Sequence, residues 1–256
     1  MRELSGSKAS LRQGGATLSA APEPGAPVRE LKFSVSEGDA ARLAAALSPL
    51  LPPDPHARDA PGEIYRVESL YFDTAALDVF HRSEGFSETK YRVRRYAGTG
   101  TLFLEEKRKT AGLVRKRRTS VGEADVASLA GRADTPLSGD AGDWFRERLR
   151  GLSLSVVCEI AYERWARQGE IEGVPVRVTV DRAIRCLPSR VARFAGAATD
   201  SSALALETRV LEMKFPAALP AALKEIVRVF SLRPSAVSKY RLAIERCGLA
   251  GGGARP

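Results

Sequence analysis

The sequence predicts an α+β fold: an eight-stranded antiparallel β-barrel, closed as a tunnel, with helices packed on its outside. Three observations predict it. Strand-like segments outnumber helices and follow one another through short turns, as hairpins do. Six of those strands carry ions at alternate positions, an alternation that puts ions on one face and apolar residues on the other in all but one of them. The helical segments carry apolar stripes that need a surface to cover, and eight strands are enough to close a barrel.

Residues 1–28 are rich in Gly, Ala, Ser and Pro without periodicity and read as a disordered leader. A strand follows over 29–35, then a helix over 39–50 with Leu43, Ala46, Leu47 and Leu50 on one stripe. A proline-bearing loop leads to a strand over 65–72 and a helical turn capped by Asp73. Strands over 90–96 and 101–109 are joined by Ala-Gly-Thr-Gly, a four-residue hairpin loop, and a further strand covers 114–121. Helices are expected over 123–130 and 143–151, strands over 154–164, 174–186 and 205–215, and helices over 220–230 and 235–247. Residues 250–256 read as a frayed tail. No linker divides the middle, so one domain is expected over 29–249.

Composition narrows the function classes. With 256 residues, 44% hydrophobic and 28% charged, the chain can bury a core, and wholesale disorder is excluded. No apolar run approaches the ~18 residues of a membrane span, and residues 1–20 lack the apolar stretch of a secretory signal. The three cysteines form no CxxC, which argues against a disulfide framework or a cysteine zinc site and suits a reduced cytoplasm. Only His56 and His81 are available for histidine-based metal or triad chemistry, and His81 reads as a surface or helix-end residue. Cys158 and Cys186 alternate with apolar strand residues and read as core, and Trp144 and Trp165 as packing anchors. Forty Lys and Arg against 31 Asp and Glu give +9. Such a balance suits a polyanionic partner: nucleic acid, an anionic membrane surface or a phosphorylated small molecule. General solubility is the competing reading.

Where the cations sit decides among these. Lys90, Arg92 and Arg94 share one strand face, as do Glu105, Lys107 and Lys109. The strand Leu113-Val-Arg-Lys-Arg-Arg-Thr119 is cationic on both faces; Lys116 and Arg118 are assigned inward, Arg115 and Arg117 outward. Arg177, Thr179 and Asp181 alternate with valines; Glu212 and Lys214 alternate with Leu211, Met213 and Phe215; Glu30 and Lys32 alternate with Leu31 and Phe33. An ordinary sheet with a solvated face explains one or two such strands. Six strands beside helices that need an apolar wall put the charged face inside a barrel. A lumen lined by about ten cations repels itself unless a linear, strongly anionic ligand fills it. A triphosphate or polyphosphate chain fits, and Glu30, Glu105 and Glu212 among the cations suit a hard divalent metal.

These residues resemble the VTC domain, the polyphosphate polymerase domain of the triphosphate tunnel metalloenzyme (CYTH-like) superfamily. The resemblance rests on Glu30-Leu-Lys32, Ser69-Leu-Tyr-Phe-Asp-Thr74, Lys90-Tyr-Arg-Val-Arg94 and Leu104-Glu-Glu-Lys-Arg-Lys109. It continues through Lys116-Arg-Arg118, Tyr162-Glu-Arg164, Val176-Arg-Val-Thr-Val-Asp181, Leu211-Glu-Met-Lys214 and Ser238-Lys-Tyr240. Each piece is weak alone; their order and spacing are specific. The resemblance implies a tunnel that holds ATP and inorganic polyphosphate, with Mn2+ or Mg2+ as cofactor and transfer of the ATP γ-phosphate to the polyphosphate chain. Arg92, Arg94, Lys107, Arg177 and Lys214 are the implied catalytic groups. Lys32, Lys116, Arg118, Ser238 and Lys239 are candidate phosphate ligands, with Lys90 and Lys109 at a tunnel mouth. Tyr162 either hydrogen-bonds a phosphate or forms part of the wall. Glu212 is the implied metal ligand, with Glu30 and Glu105 as further candidates.

Two departures from the superfamily pattern matter. The first strand reads Arg29-Glu-Leu-Lys32, whereas hydrolytic members carry a Glu-x-Glu-x-Lys run; this disfavours a second metal and a hydrolase. The chain also carries neither the SPX domain nor the membrane helices of the eukaryotic complex, so any coupling to transport needs a separate membrane-protein partner. Three rivals to the polymerase remain: a triphosphate hydrolase or nucleotide cyclase of the same superfamily, a non-catalytic polyphosphate-binding module, and a basic nucleic-acid-binding protein. The last is disfavoured, because aromatic residues make up only 7% and do not interleave the basic strands as a stacking platform requires.

Overall fold

The computed structural model describes residues 28–111, 113–129 and 142–251. The expected leader up to residue 27 and the end of the expected tail, 252–256, lie outside the described residues. Nine strands form one antiparallel sheet: β1 (Val28–Val35), β2 (Ile64–Asp73), β3 (Thr89–Tyr96), β4 (Leu102–Thr110), β5 (Leu113–Val121), β6 (Ser155–Ile171), β7 (Val174–Pro188), β8 (Leu204–Leu206) and β9 (Arg209–Phe215). Their order is β6-β2-β3-β4-β5-β1-β9-β7-β8, and β6 also pairs with β7. That pairing closes eight strands into a barrel and leaves β8 as an appendage on β7. Closure removes the free edges that an open sheet of this size would expose.

The expected strand over 205–215 is two strands. β8 pairs with Ile184–Cys186 of β7, whereas β9 sits between β1 and the Arg177–Asp181 stretch of β7. β6 runs seven residues past its expected end at Arg164, to Ile171. It turns into β7 through Glu172 and Gly173, both at positive φ (55° and 71°), the conformation of a two-residue hairpin turn whose twist matches the flanking strands.

Helices cover the outside as the apolar stripes predict. Helix α1 (Glu37–Leu47) buries Ala40, Leu43 and Leu47 in one core with Phe33, Val178, Leu211 and Met213, the outward faces of β1, β7 and β9. Each buried leucine contributes about 2 kcal/mol. Its start is fixed by Ser36, whose hydroxyl accepts from the Asp39 N–H. The short α2 (Asp78–His81) is anchored by Asp73, whose carboxylate accepts from the N–H groups of Thr74, Val79 and Phe80 and from the Tyr240 hydroxyl at 2.5 Å. Helices α3 (Glu123–Leu129), α4 (Asp143–Gly151) and α5 (Ala221–Val229) follow the expected segments. α6 is Lys239–Arg246, not 235–247: its N-cap is Ser238, which accepts from the Arg241 N–H, while Ser235 N–H donates to the Lys32 carbonyl. Cys158 and Cys186 are buried, as their alternation predicts. The fold brings Cys247, distant in sequence, to a Sγ–Sγ distance of 3.2 Å from Cys186.

Candidate functional site

The barrel encloses a cavity of about 120 Å³, and a second of about 170 Å³ lies at one mouth. Lys32, Lys90, Lys107 and Tyr240 line both. Strand register stacks the lining in tiers. In the tier nearest the mouth, Lys90, Lys107 and Lys116 stand opposite one another on β3, β4 and β5. The next tier aligns Tyr71, Arg92, Glu105 and Arg118, and the one beyond it Ser69, Arg94 and Phe103. On the far wall, Glu30, Lys214 and Arg177 align, as do Lys32, Glu212 and Thr179.

The polar contacts follow those tiers. Arg92 donates to Glu105 at 2.6 Å and to the Tyr71 hydroxyl at 3.2 Å, and Arg94 donates to Ser69 Oγ. Glu105, fully buried, also meets Lys116 and, at 3.0 Å, Arg118. Lys107 reaches Glu30 at 2.6 Å and Lys90 donates to Ser238 Oγ at 2.7 Å. Lys32 lies 3.2 Å from Glu212 and 3.6 Å from Glu30. α6 inserts Lys239 from outside the sheet, 2.5 Å from Asp181 and 3.8 Å from Glu212. Arg177 is held by Asp54 and Tyr65.

Of the residues singled out from sequence, Lys32, Lys90, Arg92, Arg94, Lys107, Lys116, Tyr162, Arg177, Glu212, Lys214 and Lys239 line the lumen, and Glu30, Lys109 and Ser238 line the mouth. Arg118 turns inward onto Glu105 and the Tyr96 hydroxyl. The Tyr162 ring lies beneath Arg94, Arg164 and Lys239. Glu105 stands apart from the Glu30–Glu212 pair, engaged by Arg92 and Arg118 of its own tier and by Lys116 of the next. Sequence reasoning gave Arg164 no role; it placed Asp181 on the charged strand face but not as the bidentate partner of Arg164, at 2.6 and 2.8 Å. The motif Tyr162-Glu-Arg164 held the signal, since Arg164 has the parity of Tyr162. Tyr71, Tyr96 and Tyr240 also line the cavity.

Among the described residues, ten cations line the lumen and five carboxylates (Glu30, Asp54, Glu105, Asp181, Glu212) touch them. The excess shows in the lysines. Burial, then the charges of Lys32 and Lys214, push Lys107 down to about 8. Burial, then Arg92 and Arg118, push Lys116 down to about 7. Lys90 and Lys214 are depressed by burial and neighbouring cations as well. Lys32 and Lys239 go the other way: although burial opposes it, Glu212 with Glu30, and Asp181 with Glu212, hold them above the ordinary value.

A lysine whose folded value lies below its unfolded one withdraws stability at low pH, and the deficit disappears as pH rises to the ordinary 10.5. An anion in the lumen reverses the shift. Binding of tripolyphosphate above pH 8 is therefore expected to take up protons onto Lys107 and Lys116, and affinity should fall as pH rises further. Titration calorimetry in two buffers of different ionisation heat checks this; equal heats in both would contradict it.

Residues 28–247 match the VTC domain family. The chain belongs to that family. No curated protein matches it in sequence. One solved structure shares the fold of this VTC domain, and others are similar to it. A provisionally assigned adenylate cyclase from Bacillus halodurans is 16% identical with a TM-score of 0.50, covering 84% of this chain and 95% of that one. The Hippeastrum protein HpAC1, described with a dominant triphosphatase activity, is 14% identical with a TM-score of 0.47, over 87% and 96%. The PH1819 protein of Pyrococcus horikoshii is 14% identical with a TM-score of 0.45, over 85% and 98%.

The chemistry of the lumen suits a hard divalent cation at one place. Glu30 and Glu212 flank Lys32, and Glu30 Oε1 is buried without a hydrogen-bond partner. Two carboxylates are what a Mg2+-like ion takes from protein when phosphate and water supply the rest. Among the described residues no third carboxylate, histidine or cysteine joins them, so the VTC domain offers a half-set that a phosphate ligand would complete.

Proposed function

We propose that this VTC domain is a polyphosphate polymerase, which binds ATP and inorganic polyphosphate in its tunnel and transfers the γ-phosphate of ATP to the end of the chain. The observation that carries the proposal is the closed lumen, where ten cations meet too few carboxylates to be neutralised. The ligand that neutralises it is anionic along its length and thin enough to enter.

Phosphoryl transfer asks for positioning and charge neutralisation more than covalent help. The terminal oxygen of the bound chain attacks the γ-phosphorus, the bond to the bridging oxygen breaks, and ADP leaves. The attacking oxygen carries no proton at neutral pH, so no general base is needed. Arg92 and Arg94 grip phosphate oxygens with planar forks. Lys107, Arg177 and Lys214 hold the neighbouring phosphates. Lys32, Lys116, Arg118, Arg164, Ser238 and Lys239 extend the grip along the tunnel, and Lys90 and Lys109 draw substrate to the mouth. Tyr162 serves as wall, its ring supporting Arg94, Arg164 and Lys239. Glu30 and Glu212 would hold Mn2+ or Mg2+, which supplies Lewis-acid polarisation of phosphate oxygens when bound. Lys32 stands between the two carboxylates and keeps their charge balanced otherwise.

Incubation of the purified protein with ATP and Mn2+ is expected to give ADP and, in matching amount, polyphosphate resolved on a gel. ADP with free orthophosphate identifies a hydrolase, a cyclic nucleotide a cyclase, and intact ATP with tightly bound polyphosphate a binding module. Each of those results replaces the proposal.

A further inference from the structure

β5 carries more charge than the tunnel uses. Lys116 and Arg118 point inward, and Arg115 and Arg117 are exposed on the outer face. The partner strand behaves alike: Lys107 faces the lumen, while Arg108 stands outside, directly opposite Arg115, and Glu106 stands opposite Arg117. Helix α4 adds Arg148 to this outer surface, 3.9 Å from Glu106. The result is an outer groove of about 370 Å³ in which Arg108, Arg115, Arg117 and Arg148 surround one carboxylate.

That carboxylate cannot balance them. Glu106 is buried and already bonded to Arg108 at 2.8 Å. Like charges directly opposed across two strands destabilise the pairing, yet Arg108 and Arg115 are so placed. Arg117 lies with its guanidinium 4.2 Å from the centre of the Trp144 ring, and the indole N–H donates to Thr119 Oγ at 2.9 Å, which fixes the ring. Stacking of this kind holds a guanidinium flat and leaves its N–H edges turned to solvent. Such an array fits an anion with several charges in a row.

The groove and the tunnel share one lining residue, Lys116. β4 and β5 meet in a tight hairpin that pairs Thr110 with Leu113, beside the mouth lined by Lys90, Lys107 and Lys109. Lys109 at the mouth and Arg108 in the groove are consecutive residues on opposite faces of one strand. A polyanion longer than the tunnel therefore leaves the mouth over Lys109 and meets Arg108 and Arg115 as soon as it rounds the hairpin.

We infer that the outer face of the β4–β5 hairpin is a second binding surface for inorganic polyphosphate, and that it takes the part of a long chain lying beyond the tunnel mouth. The inference rests on the tunnel reading above and extends it to chain length: the domain should prefer long chains to short ones. The test compares the wild type with R115Q/R117Q/R148Q, using tripolyphosphate, long-chain polyphosphate and single-stranded DNA as probes over a range of salt. In the variant, tripolyphosphate affinity should stay within about twofold, whereas long-chain affinity should drop about tenfold with a shallower salt slope, as lost cation–phosphate contacts require. The milder R115Q/R148Q, which leaves Arg117 on Trp144, should lose about threefold and melt like the wild type. Equal losses for short and long chains, or no loss for long ones, would overturn the inference. So would DNA that binds as tightly as polyphosphate and weakens by the same factor, since the surface would then be one for nucleic acid. Wild-type protein that ignores tripolyphosphate but loses long-chain binding on substitution would instead sink the tunnel reading and keep the surface.

Discussion

Replacement of Arg92 by alanine is expected to lower the rate of phosphate transfer by about 10²–10³, or roughly 3–4 kcal/mol of transition-state stabilisation. Arg92 occupies the middle tier, lines the cavity and is held at two points, by Glu105 and Tyr71. A guanidinium so fixed needs no reorganisation to receive a phosphate, which makes it worth more than a mobile cation in water. The fold should survive the change. Glu105 keeps Lys116 and Arg118 as partners, so no buried charge is stranded. Lysine at the same place restores a charge without the fork and should recover only part of the rate, leaving it about tenfold below wild type. The measurements are polymer formation and ATP consumption for R92A and R92K, with circular dichroism to confirm the fold. R92A activity within about threefold of wild type would remove Arg92 from the proposed machinery.

Much of the lumen was legible because a strand sends alternate side chains to opposite faces. That single period places Lys90, Arg92 and Arg94 together, and likewise Glu30 with Lys32 and Glu212 with Lys214. The same rule places Asp181 with Arg177 and, pressed further, yields Arg164 from Tyr162. β5 was harder, because both of its faces are charged and period alone cannot rank them. Packing decides: Trp144 of α4 lies outside and takes Arg117, which leaves Lys116 and Arg118 for Glu105. Loops carry no period at all. Asp54, in the proline-bearing segment after α1, fastens Arg177 at 2.6 Å and gave no sign in sequence. Nor did the polar Glu207-Thr208-Arg209 within 205–215 reveal the split, because which stretch of β7 each half pairs with, and the pairing of β9 with β1, are set by the tertiary fold. The approach of Cys247 to Cys186 depends on how α6 folds back over β7, a contact between distant segments that spacing cannot reveal.

Neutralising Glu105 should cost the protein stability rather than activity alone. Its carboxylate is fully buried, 2.6 Å from Arg92 and 3.0 Å from Arg118, and also paired with Lys116. Burial would raise its proton affinity, but Arg92, Arg94, Lys116 and Arg118 hold it well below the usual carboxylate range. A group depressed in this way contributes stability above the ordinary carboxylate range and loses it only in acid. E105Q keeps the shape and deletes the charge, so its cations face one another in a poorly solvated space. Removing one member of a buried ion cluster costs about 3–5 kcal/mol. The low end applies here, because Lys116 and Arg118 keep some access to water. For a chain of this size that is a drop of roughly 10 °C in melting temperature. The same logic makes the loss reversible by ligand. A polyphosphate in the lumen returns the missing negative charge, so tripolyphosphate should raise the melting temperature of E105Q more than that of the wild type. Thermal melts with and without tripolyphosphate decide the matter. An unchanged melting temperature in E105Q, or equal stabilisation of both proteins, would mean that the cations do not need an anion between them, and the case for a phosphate tunnel would lose its physical basis.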